Sequence, residues 1–104
     1  MAEWVKVAEV SELAAGQKKQ IDIDGLALAV FNVDGQIYAI EDVCTHDGAP
    51  LAHGRFAGQE ITCPRHGARF NVCTGAALCM PAFEPVTTFA VQITGNDVLV
   101  EVDL

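Results

Sequence analysis

Basic side chains are scarce in this sequence: six Lys and Arg stand against fourteen Asp and Glu, for a formal charge of −8. A domain this anionic repels phosphate backbones, so nucleic-acid binding is not its expected work. It is suited instead to steering toward a positively charged protein partner, by an attraction that weakens with salt. Long hydrophobic runs are lacking too. The most apolar segment, Leu26 to Val33, is far shorter than a membrane span, and the first residues do not read as a signal peptide. A cytoplasmic, soluble monomer without membrane association is expected. No apolar period of 3.6 residues is sustained, and there is no internal repeat or low-complexity tract. The 104 residues suffice for one domain, 1–104, with a folded surface near ~5,700 Å². They leave no room for a cofactor domain beside a substrate domain.

Hydrophobic residues make up 51% of the chain, which supports a packed core rather than disorder. The ends of the sequence read as strands. Trp4–Val7 is a short strand, and Ser11–Gly16 one helical or 3₁₀ turn with Ser11 as N-cap and Gly16 as stop. Gln20–Ile23 alternates, Asp24-Gly25 turns, and Leu26–Val33 is a buried strand. Asp34-Gly35 is the strongest hairpin signal, and Gln36–Ile40 returns from it. Val86–Ile93 and Val98–Val102 form a second hairpin around Gly95-Asn96. The fold class expected is all-β, a small sandwich or barrel of short strands.

All three His, all four Cys and all four Pro fall in the middle, about 43–85. A loop-rich block of this kind inside a strand frame suggests function carried on loops by a rigid scaffold. Within it Cys44-Thr45-His46 is followed, sixteen residues later, by Cys63-Pro64-Arg65-His66. Each half pairs a thiolate donor with an imidazole, and each is followed by glycine, at Gly48 and Gly67. One such pair would often be a buried Cys and a hydrogen-bonded His with no further role. Two pairs on glycine-bearing loops argue against that. Structural zinc accepts two Cys and two His, but usually with the Cys together and the His together. A cysteine protease would need one reactive Cys and a distant His, and would leave four donors in matching halves unexplained. Mixed halves suit a [2Fe–2S] cluster in which two Cys hold one iron and two His the other.

The double motif Cys-x-His and Cys-x-x-His-Gly resembles the signature of the Rieske family. The chain is most similar to the small ferredoxins of bacterial aromatic-ring dioxygenases. The resemblance extends to Phe70–Ala77 and the C-terminal hairpin. It implies three stacked antiparallel sheets, with a cluster-binding subdomain of two loops at one tip. Cys44 and Cys63 would bind the buried iron, His46 and His66 the outer one. Gly75–Pro81 would match the loop that covers the cluster, with Pro81 shaping it. The implied role is to carry single electrons from a flavin-containing, NAD(P)H-dependent ferredoxin reductase to a terminal oxygenase in aromatic hydrocarbon catabolism. The alternatives are a small subunit of a nitrite reductase or similar complex, and a zinc-stabilised β module.

High-potential relatives add two Cys beside the ligands, where this chain has Ala49 and Arg65. They also place hydroxyls where it has Ala68 and Phe70. The resemblance thus implies a low potential, roughly −150 mV. A mononuclear iron oxygenase needs two His and a carboxylate. Beyond the proposed ligands only His53 remains, so a carrier and not an enzyme is expected, with His53 a surface residue. Cys73 and Cys79 are expected to be buried thiols. Trp4 and Tyr38 read as core aromatics. Asp47, Glu60 and Glu84 could join a docking face, and Arg65 and Arg69 could place positive charge beside His66.

Overall fold

The computed structural model describes residues 2–45, 48–65, 67–80, 82 and 84–103. Among the described residues, ten strands form three antiparallel sheets: β1 (Ala2–Glu9), β2 (Lys18–Ile23), β3 (Leu26–Val33), β4 (Gln36–Glu41), β5 (Arg55–Ala57), β6 (Glu60–Thr62), β7 (Arg69–Asn71), β8 (Thr88–Phe89), β9 (Val91–Thr94) and β10 (Asp97–Asp103). Their order is β1-β10-β9, β2-β3-β4-β8 and β5-β6-β7. The all-β expectation therefore holds, as three sheets. The accessible surface, 5557 Å², is close to the size-scaling value.

β3 explains the stacking. Successive strand side chains point to opposite faces. Leu28 and Val30 enter one buried cluster with Leu13, Val100 and Val102. Ala29, Phe31 and Val33 enter another with Ile40, Ile61 and Phe70. The strand is covered on both sides, which is why its sequence is continuously apolar rather than alternating. Asn32 is its one buried polar side chain; its Nδ2 donates to the Leu13 carbonyl at 2.8 Å and its Oδ1 accepts the Gly35 N–H at 2.8 Å. The hairpin there has Asp34 at φ 51° and Gly35 at φ 94°, the left-handed pair that this turn needs.

Four expectations need correction. The first strand is longer than Trp4–Val7, because β10 pairs with it from Ala2 to Glu9. The 3₁₀ turn covers Val10–Glu12 and is capped by Glu9, whose N–H donates to Glu12 Oε1 at 2.7 Å. Ser11 lies inside that turn, and Gly16 lies beyond its end. The predicted strand Val86–Ile93 is broken at Ala90: β8 pairs with β4, while β9 pairs with β10 in a different sheet. Trp4 is 44% exposed and not in the core. Tyr38 does pack, partly buried, against the larger cluster.

Candidate metal centre

The loop-rich middle contains a sheet of its own, β5-β6-β7. One face of it is the row Phe56–Ile61–Phe70, paired across the strands. These residues pack with the larger core cluster, and the Phe31 and Phe56 rings lie 4.9 Å apart. The first candidate loop leaves the end of β4, and the second joins β6 to β7.

The two loops repeat one backbone arrangement. The Cys44 N–H donates to the Ala49 carbonyl at 2.8 Å, and the Gly48 N–H to the Cys44 carbonyl at 2.7 Å. In the second loop the Cys63 N–H donates to the Ala68 carbonyl at 2.7 Å, and the Gly67 N–H to the Cys63 carbonyl at 3.2 Å. Gly48 and Gly67 have φ of 79° and 77°, a conformation costly for residues with a Cβ. Cys44 and Cys63, 1% and 2% exposed, share the larger core cluster with Ala49, Ala68 and Ala82. The fold thus brings the bases of both loops, and both predicted thiol donors, to one apolar neighbourhood. His46, His66, Asp47 and Pro81 lie outside the described residues. Among the described residues alone, no group of three or more His, Cys, Asp or Glu converges.

A third segment joins the loops. Residues 76–78 run against β7, with Asn71 N–H to Ala76 carbonyl at 2.9 Å and Leu78 N–H to Arg69 carbonyl at 2.8 Å. Beyond them, the Cys79 thiol donates to the Gly67 carbonyl at 3.6 Å. On the other side, Thr45 Oγ1 donates to the Glu84 carbonyl at 2.8 Å. The segment following Gly75 therefore holds both loops, and it presents Leu78 and Met80 to solvent at 43% and 65% exposure.

Sequence reasoning missed Asp42. It is 4% exposed, and one carboxylate oxygen accepts the Ala52 N–H while the other accepts Gln20 Nε2, both at 2.7 Å. This pins the 3₁₀ turn Leu51–His53 that follows the first loop. A short acid at a strand end two residues before Cys44 was the available signal, since such side chains bind nearby backbone N–H groups.

Cys73 and Cys79 are unpaired thiols and only partly buried, against the expectation of burial. Cys73 lies on the turn after β7 and packs, partly buried, against the larger core cluster, while Cys79 lies on a bend further along. Arg69 Nε donates to Cys79 Sγ at 3.4 Å; the guanidinium holds that thiol below the ordinary cysteine range, with burial opposing. His53 is exposed, as expected. Glu60 forms an ion pair with Arg69 at 3.2 Å, and Glu84 is exposed.

Comparison with known proteins agrees with this frame. Residues 3–90 match the Rieske [2Fe-2S] domain. The ferredoxin component of the naphthalene 1,2-dioxygenase system of Pseudomonas aeruginosa is 38% identical over 98 residues, covering 94% of both chains. A ferredoxin from Sphingomonas yanoikuyae B1 superposes with a TM-score of 0.91 at 32% identity, covering 97% of this chain and 100% of that one. A chain of a solved complex of reduced oxygenase and oxidized ferredoxin in carbazole 1,9a-dioxygenase superposes at 0.90 with 40% identity, covering 93% of this chain and 91% of that one. The chain belongs to the Rieske [2Fe-2S] domain family.

Proposed function

We propose that this chain is the electron-carrying ferredoxin of a multicomponent aromatic-ring dioxygenase, with Cys44, His46, Cys63 and His66 holding one [2Fe–2S] cluster. The observation that carries the ligand assignment is the repeated loop: Cys44 and Cys63 occupy equivalent positions, each closed by the same two backbone bonds, within one apolar cluster. That donor set fits the group, because two thiols come from equivalent loops and an imidazole belongs to each motif. When bound, the cluster supplies reversible one-electron chemistry, at a potential raised by replacing two thiolates with neutral imidazoles.

The chain's own residues exclude water and fix geometry. Ala49, Ala68 and Ala82 share one buried apolar cluster with the two Cys. Gly48 and Gly67 close the loops, and Asp42 anchors the first. Leu78 and Met80 offer apolar surface beside the loops for a docked protein. The partners in this reading are a flavin-containing, NAD(P)H-dependent reductase as donor and the terminal oxygenase as acceptor. The solved ferredoxin–oxygenase complex of carbazole 1,9a-dioxygenase supports the second. Oxygen chemistry belongs to that partner, since outside the four ligand positions this chain has one histidine, His53. Residues 1–104 act as a single domain, with the cluster-binding part at about 43–85, and the carrier works as a cytoplasmic monomer.

The deciding experiment is EPR of the dithionite-reduced protein alongside metal and acid-labile sulfide analysis. A low average g-value and two irons per chain are expected. One zinc and no sulfide would overturn the reading.

A further inference from the structure

The three lysines, Lys6, Lys18 and Lys19, lie near the start of the chain, whereas Arg55, Arg65 and Arg69 fall within fifteen residues that contain a single acid, Glu60. A chain of charge −8 therefore carries a local excess of positive charge on its smallest sheet. Strand register decides where it points. Arg55 pairs with Thr62, and Thr62 with Arg69. The neighbouring row, Phe56–Ile61–Phe70, packs with the core, so the Arg55–Thr62–Arg69 row faces outward. Ala57 and Glu60 pair one step along on the same outward face.

Arg55, Ala57, Glu60, Thr62 and Arg69 line a shallow recess of about 270 Å³. The two arginines stand two strands apart, about 10 Å between Cα atoms, with the small Ala57 leaving space between longer side chains. Arg69 is held by Glu60 at 3.2 Å. Among the described residues, the Arg55 guanidinium has no ion-pair or hydrogen-bond partner. The face is continuous with the second ligand loop: β6 ends at Thr62, directly before Cys63, and β7 starts at Arg69, two residues after Gly67.

We infer that the outer face of β5-β6-β7 is a docking surface for a carboxylate-bearing patch on a redox partner protein, with Arg55 and Arg69 taking the carboxylates and the Thr62 hydroxyl between them. Charge complementarity fixes the chemistry of the occupant, because guanidinium forks match carboxylates in a bidentate geometry. Its position beside the Cys63 loop sets a partner seated there close to the proposed cluster-binding loop. Glu60 acts as an internal competitor that occupies Arg69 until the partner displaces it. This inference rests on the carrier reading above and adds the side on which a partner sits.

The test is stopped-flow electron transfer with the holoprotein, from its reductase and to its oxygenase, across a range of ionic strength. Wild-type protein with no Rieske EPR signal and no transfer would refute the carrier reading itself. With wild-type transfer established, Arg55→Glu should lower the low-salt second-order rate with one of the partners by about threefold to tenfold, a difference that closes as salt rises. Glu60→Gln should raise the same rate by about twofold. The reduction potential should stay unchanged in both variants. Lys18→Glu makes the same charge change on an exposed residue of β2, in a different sheet, and should act less. Arg55→Glu rates equal to wild type with both partners, or equal to those of Lys18→Glu, would overturn the inference.

Discussion

The Asp42 carboxylate accepts the backbone N–H of Ala52 at 2.7 Å, ten residues further along the chain, so that a buried acid fastens the base of the first ligand loop. Asp42→Ala leaves that N–H and Gln20 Nε2 without their acceptor. Hydrogen bonds to a charged group put the loss at about 3 kcal/mol. A lower thermal midpoint and faster cluster loss are expected. Asp42→Asn, which can still accept from Ala52, should cost about 1 kcal/mol.

The ligand assignment makes a sharp prediction. His46→Ala and Cys63→Ala should reduce iron and acid-labile sulfide to below about a tenth of wild type, because the loops gain stability from the group they hold. Cys73→Ser and Cys79→Ser should retain both. Full iron content in either ligand variant would move the site elsewhere.

Two glycines near the site should respond differently to alanine. At Gly48 an added Cβ meets nothing within 4 Å, so only the strain of φ 79° remains, about 1–2 kcal/mol. At Gly54 the Cβ would fall on the Thr62 carbonyl, which is backbone and cannot step aside. Gly54→Ala should cost about 4 kcal/mol or more, and thermal melts of the two variants should rank in that order.

Cys79 should show an acid-shifted reactivity. Its thiol is held below the usual range by Arg69, so iodoacetamide labelling should set in at a lower pH than for an ordinary cysteine. Arg69→Gln should move the labelling midpoint upward. The sign for stability follows: a thiol that ionises more readily when folded favours the folded state above its unfolded pKa. That contribution fades as pH falls through the folded value.

The proposed potential, roughly −150 mV, can be measured by protein-film voltammetry. Ala68 and Phe70 are both fully buried, at positions where the resemblance implies hydroxyls in higher-potential relatives. Ala68→Ser and Phe70→Tyr should each raise the potential by about 40 mV, the equivalent of one hydrogen bond of about 1 kcal/mol to the reduced state. A wild-type midpoint above zero would contradict the low-potential assignment.

The frame was legible wherever one strand stayed in one environment. Leu26–Val33 and the Asp34-Gly35 hairpin carry their signals locally, and the structure agrees with both. The break at Ala90 was not legible, because apolar residues continue on either side of it while the pairing partner changes sheet. The β5-β6-β7 sheet escaped for a related reason. Its strands are three residues long, too short to establish a period, in a block whose Pro and Gly read as loop. At the site, Cys44 and Cys63 announced themselves by spacing. Asp42 did not, since its partners, Gln20 and Ala52, are distant in sequence and become neighbours only when β2 and the turn after the first loop meet.

Among the described residues, the bonds that close the two loops, from the N–H groups of Cys44, Gly48, Cys63 and Gly67, all run to main-chain carbonyls. Architecture and tuning are therefore separable here. Under the proposed function, exposed side chains around these loops can change to suit a different partner while the backbone cradle persists. One skeleton can in this way take a new outer dress without being rebuilt.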